Sequence, residues 1–189
     1  MKLSGLVLCL TMLLPVAAWA GNFKYDYAEI NYQHISPRTG DSSKGPAIDL
    51  SYTVPELGIQ LLGSYGKLDT STTAGGVNEH DYQIGIRGEN AFGDNTDFYT
   101  DILYLNQRST LGANTNTDNG YRLELGLRHR VNNRIEVDAS LARDYLTNSR
   151  NQAAVGMIFN ATDHLAVGLS YARDNLHDNT TMLRLRGYF

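Results

Sequence analysis

The sequence predicts an all-β fold: a single closed antiparallel transmembrane barrel of ten strands, with eight as the alternative count. Three observations predict it. The chain opens on an export signal. Beyond the signal, the chain breaks into short segments that alternate apolar and polar residues. The last of these ends on an aromatic, Phe189. In a strand, residues i and i+2 share a face. In residues 180–189 one face therefore holds Thr181, Leu183, Leu185, Gly187 and Phe189, and the other holds Thr180, Met182, Arg184, Arg186 and Tyr188. An apolar face backed by arginines suits lipid outside and polar groups inside.

Residues 1–20 read as a secretory signal. Lys2 supplies the positive start, Leu6 to Val16 the apolar run, and Ala18-Trp19-Ala20 the small-x-small cleavage site. Residues 21–189 are then the barrel domain. The apolar run is too short for a comfortable membrane helix. Cys9 lies inside it, with Leu8 before it where a lipoprotein signal would have a small residue. Cleavage would leave no cysteine, so disulfide and thiol chemistry are excluded.

Strands are expected at residues 23–35, 47–54, 59–68, 80–89, 97–107, 120–131, 135–145, 153–159, 165–171 and 180–189. Ile48, Leu50, Tyr52 and Val54 alternate with Ala47, Asp49, Ser51 and Thr53. Tyr121, Leu123, Leu125 and Leu127 alternate with Arg122, Glu124, Gly126, Arg128 and Arg130. Pro55-Glu56-Leu57-Gly58 and Asn132-Asn133 are tight turns. Polar loops are expected at 37–45, 69–79, 108–118, 147–151 and 175–179. They alternate with the shorter turns, which matches external loops, periplasmic turns and both termini on the periplasmic side.

The formal charge is −4, and no basic patch of the kind nucleic acid requires is present. Twelve tyrosines suit the membrane-water interface, where an apolar ring needs a polar tip. A soluble sandwich is the competing fold. It would need a dry core, and the polar faces here carry charges of both signs on strand after strand.

The terminal Arg186-Gly187-Tyr188-Phe189 and the hairpins along the chain resemble the small outer-membrane barrels in the style of the OmpX and OmpA transmembrane domains. That resemblance implies recognition of Leu183, Leu185 and Phe189 by the barrel-assembly machinery, with Gly187 where a larger apolar residue is common. The opening Tyr25-x-Tyr27-x-Glu29-x-x-Tyr32 resembles small barrels described loosely as signalling-linked outer-membrane proteins. The expected surroundings are outer-membrane lipid and lipopolysaccharide. A monomer is expected, and nothing calls for a cofactor.

The inward faces should gather a charge network: Glu29, Asp49, Arg87, Asp101, Arg122, Glu124, Arg128, Arg130, Glu136, Asp138, Arg184 and Arg186. Closure would bring Arg184 or Arg186 near Glu29, and Arg122, Arg128 and Glu124 near Glu136 and Asp138. Unpaired charge between low-dielectric walls is costly, so interlocked ion pairs are expected. A ten-strand barrel is only modestly wider than one that side chains can fill. The leading function is therefore a structural or surface-interaction barrel with a largely plugged lumen, not an enzyme. A narrow channel for ions or small solutes is the alternative. A lipid A-modifying enzyme is a third reading, raised by His34-x-Ser36, which resembles the spacing in lipid A deacylase barrels. His80-Asp81 and His177-Asp178 are the other candidate pairs, in the manner of rim proteases.

Overall fold

Alternation is what builds this fold, and it runs opposite to that of a soluble sheet. On the ninth strand Ala166, Gly168 and Ser170 are buried while Leu165, Val167, Leu169 and Tyr171 are exposed. Glu29, Asp101 and Arg128 lie inside at 2–4 % exposure, whereas Ile84 and Leu141 are each 67 % exposed. Large apolar side chains turned outward in register are stable only against lipid.

The computed structural model describes residues 23–72 and 75–189. The expected signal at 1–20 and its cleavage site lie outside the described residues. The strands are β1 (Tyr27–Ser36), β2 (Ser43–Val54), β3 (Ile59–Thr72), β4 (Gly75–Ala91), β5 (Thr96–Leu111), β6 (Asn114–Arg130), β7 (Ile135–Tyr145), β8 (Arg150–Asn160), β9 (Leu165–Asp174) and β10 (Asn179–Tyr188). Each pairs antiparallel with its sequence neighbours, and β1 pairs with β10 to close the barrel. The seam runs in register from Tyr27 opposite Tyr188 to Ser36 opposite Asn179.

Two aromatic girdles bound the apolar band. Tyr52, Phe98 and Phe159 lie toward the end that carries both termini. Tyr32, Tyr65, Tyr82, Tyr104, Tyr121, Tyr145 and Tyr171 lie toward the other, which is the outer end. On β5, Phe98 and Tyr104 are separated by about 20 Å of strand, a fitting span for a thin hydrocarbon layer. Polar tips in the outer girdle are engaged: Tyr65 Oη lies 2.9 Å from His80 Nδ1, and Tyr171 donates to Asn179 at 2.6 Å.

Strand ends differ from the sequence expectation in three ways. Residues 69–79 and 108–118, expected as loops, are mostly strand: β3 runs on to Thr72, β4 starts at Gly75, β5 reaches Leu111 and β6 starts at Asn114. There the ladder stands above the membrane. Both faces are wet, so polar Thr, Asn and Ser pair by backbone hydrogen bonds with no apolar alternation to betray them. Gly112, at φ +58°, makes the tight turn between β5 and β6. The β3–β6 wall is consequently tall, with 14 to 17 residues per strand against 10 to 12 elsewhere.

The second difference is on the short wall, where β2 starts at Ser43, inside the expected loop 37–45, and β8 and β9 extend beyond the expected 153–159 and 165–171. The third is at the start. Residues 23–26, expected to begin the first strand, leave the wall and turn into the periplasmic mouth, because Phe23 and Tyr25 find aromatic and cationic partners across it.

Candidate functional site

The lumen is built by the inward positions of all ten strands. It holds a cavity of about 340 Å³, whose lining runs from Arg128 near the periplasmic end to Arg150 near the outer end. Of the expected network, Glu29, Asp49, Arg87, Asp101, Arg122, Glu124, Arg128, Asp138, Arg184 and Arg186 line this cavity. Arg130 and Glu136 lie at the periplasmic mouth, beside Lys24 and Tyr188.

Neighbouring strands in register make most of the ion pairs. Asp101 faces Arg87 across the β4–β5 ladder and receives both Nε and Nη2, each at 2.7 Å. Arg122 faces Asp144 and forks onto it at 2.6 and 2.9 Å. Arg186 faces Glu29 across the closing seam, with Nε 2.8 Å from Oε2. Arg128 binds Glu136 diagonally, with Nε at 2.8 Å and Nη2 also bonded. The forked Arg87–Asp101 and Arg122–Asp144 pairs fix geometry as well as charge. The expected meeting of Arg122 with Glu136 or Asp138 is replaced by its pair with Asp144, its direct register partner.

Arg184 does something different. Its Nε is 3.9 Å from Glu29 on β1, and its Nη1 is 3.8 Å from Asp138 on β7. β7 stands three places from β10 around the ring, so this side chain is a strut across the lumen. Asp49 accepts from Asn31 at 2.6 Å, and Glu124 from Tyr99 at 3.4 Å. The Tyr99 ring lies over Gly126, its partner on β6, where a Cβ would come within 2.0 Å of it. The missing side chain makes room for the ring, whose other neighbour is the Arg87 guanidinium at 4.0 Å.

The periplasmic mouth is stoppered by the segment preceding β1. Tyr25 donates to Asp97 at 2.7 Å. The Arg128 guanidinium lies 4.9 Å from the Phe23 ring and 5.2 Å from the Tyr25 ring, and Arg130 lies 4.6 Å from Phe23. β6, which carries both arginines, stands diametrically opposite β1, so the segment spans the whole opening. Burial, and then the negative charge of Glu89, push the Tyr25 phenol well above its ordinary value.

Several of these partners escape the sequence reading. Asp144 sits on the polar face of the expected 135–145 strand, and carrying that alternation two residues beyond Ala142 finds it. Arg150 and Asp174, paired at 3.3 Å, fall in stretches expected as loop or beyond a strand end. Phe23 and Tyr25 give no signal, since odd positions there continue the inward face of β1.

The remaining candidates lie apart from the lumen. Leu183, Leu185 and Phe189 are exposed on the outer surface. His34 also faces outward and makes no hydrogen bond to Ser36 among the described residues. His80 faces outward onto Tyr65, while Asp81 on the same strand lines the lumen. His177 occupies the β9–β10 turn at φ +71°, where its N–H and that of Asp178 both bond Asp174.

A closed barrel with lipid-facing alternation and a charged interior defines an integral outer-membrane barrel. The chain belongs to the outer membrane protein β-barrel domain family, which matches residues 6–153. Among solved structures, it resembles an outer-membrane channel from Pseudomonas putida F1 at 10 % identity and a TM-score of 0.57, covering 93 % of this chain and 99 % of that one. The β-domain of the Bordetella autotransporter BrkA matches at 10 % identity and 0.57, covering 87 % and 99 %. The NanC porin matches at 11 % identity and 0.52, covering 86 % and 99 %. At such identities the likeness is one of fold. No curated protein matches the chain.

Proposed function

We propose that the protein is a non-conducting, non-enzymatic outer-membrane barrel, closed inside, that carries a tall external wall for contacts at the cell surface. The observation that carries this reading is the stopper. Phe23 and Tyr25 cross the periplasmic mouth onto Arg128, Arg130 and Asp97. Beyond it, Arg184 reaches across the lumen to within 3.8 Å of Asp138 and narrows the cavity there. The raised β3–β6 strands then offer the polar hairpins that a surface partner would meet. The separation of His80 from Asp81 onto opposite faces of β4 supports the absence of catalysis at that rim.

A narrow channel is the second reading. The cavity of about 340 Å³, lined by charges of both signs along its length, favours it. Planar-bilayer conductance of the refolded barrel separates the two. The closed reading expects silence from the native chain and steady conductance once Phe23→Ala and Tyr25→Ala are combined. Steady conductance from the native chain, with ion selectivity that moves in Arg184→Glu, would replace it with the channel.

A further inference from the structure

The outer wall of β6–β9 carries an unusual distribution of charge. Its lipid-facing residues are the odd positions of 119–129, 135–145, 151–159 and 165–173. No carboxylate occurs among them, yet Arg143 and Arg173 do. Both arginines are exposed, and neither has a carboxylate within 4.0 Å among the described residues. On the tall wall Lys67 has Asp69 at 3.3 Å, while Arg108, outward on β5 and also without a carboxylate within 4.0 Å among the described residues, stands outside the groove that Arg143 and Arg173 line. An outward guanidinium on a barrel is tolerated only near the interface, where an anion can meet it.

Register places the two arginines around a shared dip. Ala153 on β8 lies between Leu141 on β7 and Arg173 on β9, and Arg143 lies one row outward beside Asn151. The alanine is small where its neighbours are long, and a groove of about 690 Å³ opens there between Leu125, Leu141 and the two arginines. Its floor is apolar and faces the hydrocarbon. Its outer edge stands at the tyrosine girdle, since Arg143 is two residues inside Tyr145 and Arg173 two residues outside Tyr171. The Arg143 guanidinium lies 5.0 Å from the Tyr145 ring, which holds it at that height.

We propose that this groove binds a phosphate-bearing acyl lipid of the outer leaflet. The phosphate is shared between Arg143 and Arg173, and an acyl chain lies over Ala153 against Leu141. Guanidinium forks suit phosphate oxygens, the headgroup supplies the anion that the wall lacks, and the chain fills the dip. The site is outside the barrel and independent of whether the lumen conducts.

The test uses the folded barrel in neutral detergent, checked by heat modifiability, and native mass spectrometry with three probes: a diphosphorylated acyl disaccharide lipid, its dephosphorylated form, and inorganic phosphate. The expected result is a one-to-one adduct with the phosphorylated lipid, weakened roughly tenfold or more by Arg143→Ala with Arg173→Ala. Ala153→Phe fills the dip, keeps both arginines and weakens the adduct as well, while Lys67→Ala leaves it intact. Equal retention of the dephosphorylated lipid would reduce the groove to ordinary annular contact and overturn the proposal. So would an undiminished adduct in the folded double-arginine variant, or binding of inorganic phosphate as tight as that of the lipid.

Discussion

Both ends of the barrel pair a cation with a carboxylate, and the barrel rests on the two pairs differently. At the periplasmic end, the side chains of Arg128 and Glu136 are 5 % and 6 % exposed, and the Phe23 and Tyr25 rings lie against Arg128. At the outer rim of the tall wall, Lys67 and Asp69 are 42 % and 54 % exposed, with water on every side. A charge pair away from water depends wholly on its partner, because removing one member leaves the other buried and uncompensated. A pair in water loses little, since solvent replaces either member. Burial, more than the number of ion pairs, decides where this barrel is held.

The largest effect is therefore expected from Arg128→Ala. It takes from the buried Glu136 its guanidinium, leaving it the Asn160 amide at 2.9 Å, and removes the cation under both stopper rings, at a cost of about 3–5 kcal/mol in urea unfolding from lipid vesicles. A loss below about 1 kcal/mol would show that water already reaches the mouth, and the contrast between the ends would collapse.

A smaller effect is expected at Tyr25. Tyr25→Phe keeps the ring and loses the hydrogen bond to Asp97, costing about 1–2 kcal/mol. The phenol's value is raised in the folded chain above its ordinary 10.0, so its stabilising contribution is complete below that pH and is lost as pH climbs past it. Unfolding midpoints of the native chain should thus fall between about pH 9 and 11 more steeply than those of Tyr25→Phe. Parallel profiles would place the phenol in water.

The smallest effect is expected from Lys67→Ala, within about 0.5 kcal/mol and insensitive to salt beyond the error of the measurement. A loss above about 2 kcal/mol would mean that the rim is packed against something the isolated barrel does not supply.

The same difference in surroundings explains what the sequence could reveal. Where one face meets lipid and the other the lumen, alternation is forced on the chain, and ten strands with their inward charges can be read from Leu, Ile and Tyr against Asp, Glu and Arg. Above the membrane that force vanishes. Thr70 and Thr110 sit in regular ladders, yet nothing in their neighbours distinguishes a strand from a loop. Tyr25 is illegible for another reason. Its partners Asp97 and Arg128 are 72 and more than 100 positions away, and only the ring order brings the far wall to it. The Arg184 strut is likewise a property of diameter, which no local spacing encodes. Arg122 meets Asp144 rather than Glu136 because direct register places that acid across from it.

The Glu29–Arg186 pair lies on the seam between the first strand and the last, 157 positions apart. That seam must be among the final pairings made, since it joins ends whose contact carries the greatest loop entropy. A slip of one residue would turn Arg184 and Arg186 toward lipid. A slip of two would set Arg184 opposite Glu29 but leave Arg186 without its carboxylate and break the bridge to Asp138. The two arginines together therefore act as a checksum on closure: one alignment satisfies both. A nascent barrel that zips up wrongly meets an electrostatic error at its last step, while the edges are still open enough to part and try again.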